Sequence, residues 1–540
     1  MNNMIKNTFK ALYAAIALLF ACSCSDSFLQ LSSPNQPSQN TYWKTGEDAL
    51  MALTACYDAL QSGNLYDDYI DGWKFGFLAR ETSTDNGDHT WGDWMLGSSI
   101  SKCVSSTTDE CFSMYWNANY ELIKRCNMLT SNIDKVPISD EEKDVYRAEA
   151  IALRSLAYNN LTSVFRDVPY LTAPLTLEEA QAPKTSRAEI IESVISDMKV
   201  WASKLPALGS SSLAKGRMSR EAAYSILGRI ALFNGKWEEA VSAYDNVIGK
   251  VQLFKSGDGT DYEKNFRDLF TEANETAPEV LLSAHFKGPG LGEGSTFGVC
   301  WSAPMNAIEA SMNLCDDFYC IDGKPIDKSP LFKGSLEKGG HTKVAPDYDR
   351  YENRDPRLKA TLMLPGMTWN GKKFTNNLPA ASTACILKWF TPSNTKDEYD
   401  GSLDFYIIRY AEVLLSMAEA KIEKGEPQSS VTSYINEVRA RVGMPSVEEA
   451  EGTGLSQDEL RKIVRHERRV ELAFEDLRFA DLYRWGDFEN AQKRMQKDES
   501  FYGFSAVPRG NIRDGRDLVW PIPQGEIDTN PMLEQHDEWK

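Results

Sequence analysis

The sequence predicts a mostly α-helical protein: a tetratricopeptide-like helical superhelix scaffold that carries an inserted irregular, loop-rich subdomain with short strands. Three observations carry this. Arg217–Ile248 (RMSREAAYSILGRIALFNGKWEEAVSAYDNVI) divides into two amphipathic helices joined at Asn234–Lys236. The first puts Ala223, Ile226, Leu227 and Ile230 on one face, and the second does so with Trp237, Ala240, Val241, Tyr244 and Ile248. Tyr224, Leu227–Gly228, Ala240 and Tyr244 fit the aromatic, Leu-Gly, Ala-x3-aromatic register of a tetratricopeptide pair. Such a hairpin cannot bury its apolar face alone, so it needs stacked neighbours. The second observation is that helical periodicity recurs both before Leu205 and after Ile407. The third is that it lapses between Phe254 and Asp404, a stretch too long for a structureless loop.

Taken in order, residues 1–23 form an export signal, with Lys6 and Lys10 ahead of the apolar run Ala11–Ala21. That run is too short to span a bilayer stably. Leu19-Phe20-Ala21-Cys22 fits the bacterial lipobox rule, and Ala21-Cys22-Ser23-Cys24 is tolerable, so the lipid falls on Cys22 or Cys24. Residues 24–44 are polar and contain proline, as an extended tether does. A first scaffold block, 45–253, predicts helices at Thr45–Leu60, Trp116–Ile133, Glu141–Phe165 and Ala188–Leu205. It is interrupted at 61–113 by an excursion rich in Gly, Asp, Ser and Thr. Residues 254–404 form the irregular subdomain, with a strand-like run at Val280–Phe286. Residues 405–540 return to helix at Ile407–Lys424, Ser429–Val442 and one long segment, Asp458–Trp485, before a loop-like close.

Composition narrows the function classes. A net charge of −19 argues against nucleic acid, which needs clustered Lys and Arg. Losing the signal removes two lysines and no acid, so the mature chain carries −21. The remaining cysteines match no zinc template. Cys103 with Cys111, or Cys315 with Cys320, can pair in an exported chain, and buried free thiols are an equal alternative.

A search for catalytic chemistry returns little. The sequence contains no H-E-x-x-H, G-x-S-x-G, Walker A or dinucleotide fingerprint, and no two of its five histidines sit at metal-ligand spacing. The pattern calls for no cofactor and no metal; whether an ion such as calcium binds is not decided by it. Carboxylates crowd the first excursion at Asp67, Asp68, Asp71, Glu81, Asp85, Asp88 and Asp93. A glycosidase needs two carboxylates at a set separation across a sugar, which spacing along a chain does not measure.

The tryptophans say more. WKFGFLARETSTDNGDHTWGDW (Trp73–Trp94) holds Trp73, Trp91 and Trp94 among Arg80, Asp85 and Asn86. Sugar C–H faces pack on indole rings while such polar groups bond hydroxyls, so this loop is a candidate carbohydrate platform. The alternative for each single ring is that it plugs the loop onto the scaffold. Trp301, Trp369 and Trp389 are scattered through the irregular subdomain.

Several strings together resemble the SusD/RagB family of Bacteroidetes outer-membrane lipoproteins. They are CSDSFLQLSSPNQPS after the lipobox, YRAEAIALRSLAYNNLTSVFRDVPY (Tyr146–Tyr170), RDPRLKAT (Arg354–Thr361), RYAEVLLSMAEA (Arg409–Ala420), HERRVELAFEDLRFADLYRWG (His466–Gly486) and WPIPQGEIDTNP (Trp520–Pro531). The resemblance spans essentially the whole mature chain. It implies a scaffold of four helix pairs and a surface lipoprotein, anchored in the outer membrane, without catalytic activity. It also implies capture of oligosaccharides for a SusC-like TonB-dependent transporter, with oligopeptide capture by the same architecture as the second possibility. By region, it points to Trp73, Trp91 and Trp94 and then to Trp301, Trp369 and Trp389 as ligand contacts. Family habit favours Cys24 for the lipid, where the lipobox rule favours Cys22. The chain departs from the family at its end, with EQHDEWK in place of the common Gln-Asn-Pro-Gly.

Overall fold

The structure is a computed structural model that describes residues 42–68, 74–90, 92–176, 179, 181–301, 308–342, 345–374, 384–503, 507–513 and 515–540. Cys22 and Cys24, with the signal and most of the tether, lie outside the described residues.

Its longer helices are α1 (Gly46–Asp58), α2 (Glu110–Asn132), α3 (Asp140–Phe165), α4 (Arg187–Trp201), α5 (Arg220–Phe233) and α6 (Trp237–Tyr244). After the irregular segment come α7 (Tyr410–Glu423), α8 (Gln428–Arg441), α9 (Gln457–Leu472), α10 (Arg478–Arg484) and α11 (Phe488–Tyr502). Local chemistry sets several starts. Ser139, Ser186 and Ser219 each accept a hydrogen bond from the third amide of their helix, and Thr45 and Ser456 close full capping boxes with Asp48 and Glu459.

The helices stack largely in chain order from α1 to α6, and α7 packs on α6 to continue the row across the irregular segment. Neighbours for the α5–α6 hairpin therefore come from both ends of the chain. A β-carbon on Gly228 would fall 2.4 Å from Cε1 of Tyr244, which is why this α5 position tolerates only glycine at such an approach. Arg229 beside it makes a bidentate pair with Glu412 of α7 (2.7 and 2.5 Å), fastening the two halves.

Among the described residues there are also eight short strands: β1 (Gly87–His89), β2 (Val280–Ala284), β3 (Ile308–Ala310), β4 (Leu362–Met363), β5 (Thr368–Trp369), β6 (Lys372–Lys373), β7 (Cys385–Ile386) and β8 (Phe405–Arg409). They form a four-stranded antiparallel sheet in the order β1-β3-β7-β4, a β2–β8 pair and a β5–β6 hairpin. One apolar core runs from Trp43 to Leu533, and Trp520 seals it by packing on Phe75, Phe112, Tyr115, Phe165 and Phe479.

Two expected helices are corrected. The apolar run beginning at Ile407 starts as strand β8, because its backbone pairs antiparallel with β2, and helix begins only at Tyr410. The long helix expected at Asp458–Trp485 is two helices, α9 and α10. Between them Phe474 and Asp476 take left-handed φ values of 63° each, which ends the helical ladder. The freed carbonyls are used: those of Glu471 and Ala473 accept from Lys388 Nζ (3.1 Å each) and that of Phe474 from the Trp389 indole (2.6 Å).

Around this elbow lies a buried ionic knot. Arg409 meets Glu279, Glu471 and Glu475 at 2.9, 2.6 and 2.6 Å. Arg441 meets Glu279 at 3.1 Å and also pairs with Glu471. Arg357 binds Asp355, Glu467 and Glu471 at 2.6, 2.6 and 3.0 Å, and Lys388 pairs with Glu475. Desolvating each of these charges costs several kcal/mol, which only multiple close partners offset. The eight described cysteines are all buried, and neither Cys103 with Cys111 nor Cys315 with Cys320 forms a disulfide.

Candidate functional site

The four-stranded sheet joins the first excursion to the irregular segment, through Gly87↔Ala310, Asp88↔Glu309 and His89↔Ile308. Because β1 and β3 run antiparallel, the chain leaving His89 and the chain entering Ile308 lie at one edge. The loop bearing Trp94 and the start of β3 thus share that edge. The registers Met363↔Cys385 and Leu362↔Ile386 send the chain after β4, with the β5–β6 hairpin and Trp369, out at the opposite edge.

At the first edge Trp94 ends a short turn, Gly92–Trp94, with 85% of its surface open to solvent. Asp93 beside it is held by Lys102. This ring is free for stacking. Trp369 is half-buried at the far edge, against Met363, Cys385 and Leu387. Trp73, Trp91 and the side chain of Trp301 lie outside the described residues, although the backbone of Trp301 closes the turn Phe297–Trp301.

The polar partners expected for a sugar are not at this surface. Arg80, Asp85, Asn86 and Trp389 are corrected from ligand contacts to interior fastenings, since all four are buried and engaged by the protein itself. Arg80 pairs with Asp476 at 2.6 Å, donates to the carbonyls of Asn64, Leu65 and Phe75, and lies over the Tyr115 ring. Asp85 accepts from Arg478 and Arg494 (2.8 Å each) and faces Arg469 at 3.3 Å. Burial pushes its carboxyl up, but the Arg469, Arg478 and Arg494 guanidiniums outweigh that and hold it well below the usual range. Asn86 donates to Glu81 (2.9 Å) and accepts from Arg469 (3.1 Å). Trp389 is wholly buried among Phe77, Phe270, Phe405 and Tyr406, in the left-handed region at φ 66°.

Most of the excursion's carboxylates follow the same pattern; Asp93 is exposed, and Asp71 lies outside the described residues. Asp67, Asp68, Glu81, Asp85 and Asp88 are all buried. Burial raises Asp67 to about 6 and Glu81 to about 7. Asp67 accepts from the backbone and hydroxyl of Thr296 at 2.9 Å each, tying the excursion to the irregular segment. Acids turned inward in this way do not flank an open substrate channel. Among the described residues no group of three His, Cys, Asp or Glu side chains is placed to hold a metal ion.

Sequence reasoning missed two grooves. One, about 960 Å³, lies between the loop 208–219 and the β2 edge, where His285 bonds Asp404 (2.6 Å) and reaches the carbonyl of Gly216 (3.3 Å). The other, about 710 Å³, lies among the scaffold helices at Trp237 and Trp485. No local motif marks either one, because each is assembled from distant segments.

Comparison with known proteins decides the family. The SusD family profile matches residues 255–539, more than half of the chain. The chain belongs to the SusD family. A second SusD-like profile, described as starch-binding and associating with the outer membrane, matches residues 47–232. SusD-like protein P25 of Formosa agariphila is 24% identical over 542 residues, covering 97% of each chain. A SusD-like carbohydrate-binding protein of Bacteroides fragilis superposes with a TM-score of 0.76 at 25% identity, covering 92% of this chain and all of that one. A laminarin-binding SusD-like protein superposes at 0.66 with 23% identity, over 92% of this chain and all of its own, so it speaks to the fold. No helix among the described residues is long and apolar enough to cross a membrane.

Proposed function

We propose that this SusD-family protein captures oligosaccharide or polysaccharide nutrients at the cell surface and passes them to a SusC-like TonB-dependent transporter. A lipid on Cys22 or Cys24 tethers it to the outer membrane, facing outward. The observation that carries the binding step is the exposed Trp94 ring on a loop whose base is clamped by buried ion pairs. A rigid base with an open indole loses little entropy on stacking a sugar. Support also comes from the starch-binding description of the profile over 47–232 and from the carbohydrate-binding B. fragilis relative. The inward-facing carboxylates favour binding without hydrolysis.

The test is a glycan screen read by tryptophan fluorescence and calorimetry on the purified protein and on Trp94→Ala. A ligand should emerge whose affinity falls at least tenfold in the variant. Full affinity in Trp94→Ala removes that ring from the site. Oligopeptide capture, the alternative, predicts that peptides and not glycans compete.

A further inference from the structure

The groove of about 710 Å³ between α4, the α5–α6 turn, α7, α9 and α10 is lined by several arginines, and they are not equivalent. Arg484 makes a bidentate pair with Glu419 (2.6 and 2.7 Å), and Arg461 does so with Glu423 (2.7 and 2.8 Å). Lys236 is taken by Glu192. Arg465, one turn beyond Arg461 on α9, is in salt-bridge contact with no carboxylate among the described residues, and its buried Nε has no hydrogen-bond partner. The nearby acids Glu419 and Glu423 are already engaged by other arginines. Arg187 also lines the groove outside any salt bridge among the described residues, with its backbone amide donating to the nearby acid Asp167 (2.8 Å). It donates to Asn234 (2.7 Å) and to the Phe233 carbonyl (3.1 Å), capping the C-terminus of α5. A buried donor left unmade is costly, and among the described residues the chain supplies Arg465 with no acceptor.

We propose that this groove binds a carboxylate-bearing peptide segment of a partner protein, with Arg465 gripping the carboxylate and Arg187 adding a second positive charge. Charge complementarity names the ligand's sign: five cations, Arg187, Lys236, Arg461, Arg465 and Arg484, line the cavity against three acids, Glu192, Glu419 and Glu423, and the two arginines outside any salt bridge among the described residues are Arg187 and Arg465. A planar guanidinium whose two terminal nitrogens make no hydrogen bond among the described residues suits a carboxylate in bidentate geometry. The aromatic groups favour peptide over acidic sugar. Trp485 carries Arg465 at 4.8 Å and Arg484 at 4.7 Å over its ring, and its indole N–H is spent on Glu419 (2.7 Å). With guanidiniums on the indole, sugar stacking is blocked there. Beside it, Ile191, Leu232 and Phe233 form an apolar floor with little of each side chain open to solvent. Arginine and tryptophan in a partly desolvated recess are the usual composition of an interface hot spot. The groove is remote in sequence from the Trp94 loop, and the inference does not rest on glycan binding.

The experiment is calorimetry on the purified protein with two capped hexapeptides, alternating leucine–glutamate and alternating leucine–glutamine, and with free glucuronate as a third probe. The glutamate peptide should bind at least tenfold more tightly than its glutamine counterpart, and less tightly as salt rises. Arg465→Gln should lose at least tenfold in affinity while still unfolding in one cooperative transition, since Arg465 has no internal ion pair to lose and the loss of its contact with the Trp485 ring is set against relief of the unmade Nε donor. Arg187→Gln should weaken binding less. Equal affinity for the two peptides in the wild-type protein overturns the proposal whatever the variants do. So does an affinity unchanged in Arg465→Gln, or glucuronate binding that depends on Arg465 while the glutamate peptide fails to bind.

Discussion

Replacing Gly228 by alanine tests the scaffold at its closest helix contact. The added β-carbon would lie 2.4, 2.6 and 2.7 Å from Cε1, Cζ and Cδ1 of Tyr244. Ordinary carbon contacts lie at about 3.5–4.0 Å, so three ring atoms overlap by about 1 Å. The ring cannot turn away, because Tyr244 is buried and packed between α5 and α7. The helices must separate instead, at about 1–3 kcal/mol or more for an overpacked core. Alanine returns about 0.5–1 kcal/mol through its better helix propensity, leaving a net loss of about 1–2 kcal/mol. Urea unfolding followed by far-UV circular dichroism reads this as a lower midpoint at unchanged slope. Gly525 provides the control: it lies in a helix at negative φ, and a β-carbon added there would meet no atom within 4 Å, so Gly525→Ala should be neutral or slightly stabilising. Adding Tyr244→Leu to Gly228→Ala should cost less than the two single changes summed, because the leucine removes the ring that clashes. A Gly228→Ala protein as stable as the wild type would refute the close approach on which the hairpin's packing depends. A bulkier change such as Gly228→Trp should unfold the chain and not retune its ligand.

Glu471→Gln, which weakens three buried guanidinium contacts at once, should cost about 3–5 kcal/mol, read by the same unfolding assay. Trp389→Ala should destabilise by about 3–5 kcal/mol while leaving the affinity of any folded fraction for glycan unchanged, in contrast to Trp94→Ala. Melting temperature against pH should pass through a maximum. On the acid side, burial raises Glu467 but Arg357 and Arg439 bring it down to about 2, so its stabilisation is present above the ordinary glutamate value and is lost as pH falls through 2. Burial lowers His89 to about 3, so the folded state also loses ground as pH drops below the ordinary histidine value. On the alkaline side Glu275 and Asp498, raised by burial to about 8, cost stability as pH climbs from the ordinary carboxylate range through 8. A melting temperature that rises steadily from pH 5 to pH 9 would contradict the alkaline half.

The helices were legible because amphipathic period and serine caps are local properties. The α5–α6 pair and α3 fall within a few residues of their expected bounds. The elbow at Phe474–Asp476 was not legible, because its left-handed residues are stabilised by Lys388 and Trp389, which lie more than eighty residues earlier. The strand at Phe405–Arg409 was missed for a similar reason: its apolar run fits a helix as well as a strand, and β2 decides between them from afar. In the candidate site, the exposed Trp94 was within reach of sequence reasoning. The fate of Arg80, Asp85 and Asn86 was not, since polar residues in a glycine-rich loop look solvent-facing until their partners at Asp476, Arg478 and Arg469 are known.

That misassignment changes where ligand specificity can reside. Arg80, Asp85 and Asn86 fasten the base of the excursion to the elbow and to α9–α11, and Asp67 fastens it to Thr296. Arg80, Asp85, Asn86 and Asp67 are themselves buried, so altering one of these bonds leaves an uncompensated charge or donor inside the protein. Residues under that constraint cannot vary with the ligand without unfolding the loop. The freedom to change lies at the sheet edge around the exposed Trp94, whose ring is not locked into the ionic knot. Specificity should therefore move with substitutions at that edge, and exchanging the 90–97 loop for that of a relative with a different ligand should carry the preference across on an unchanged clamp.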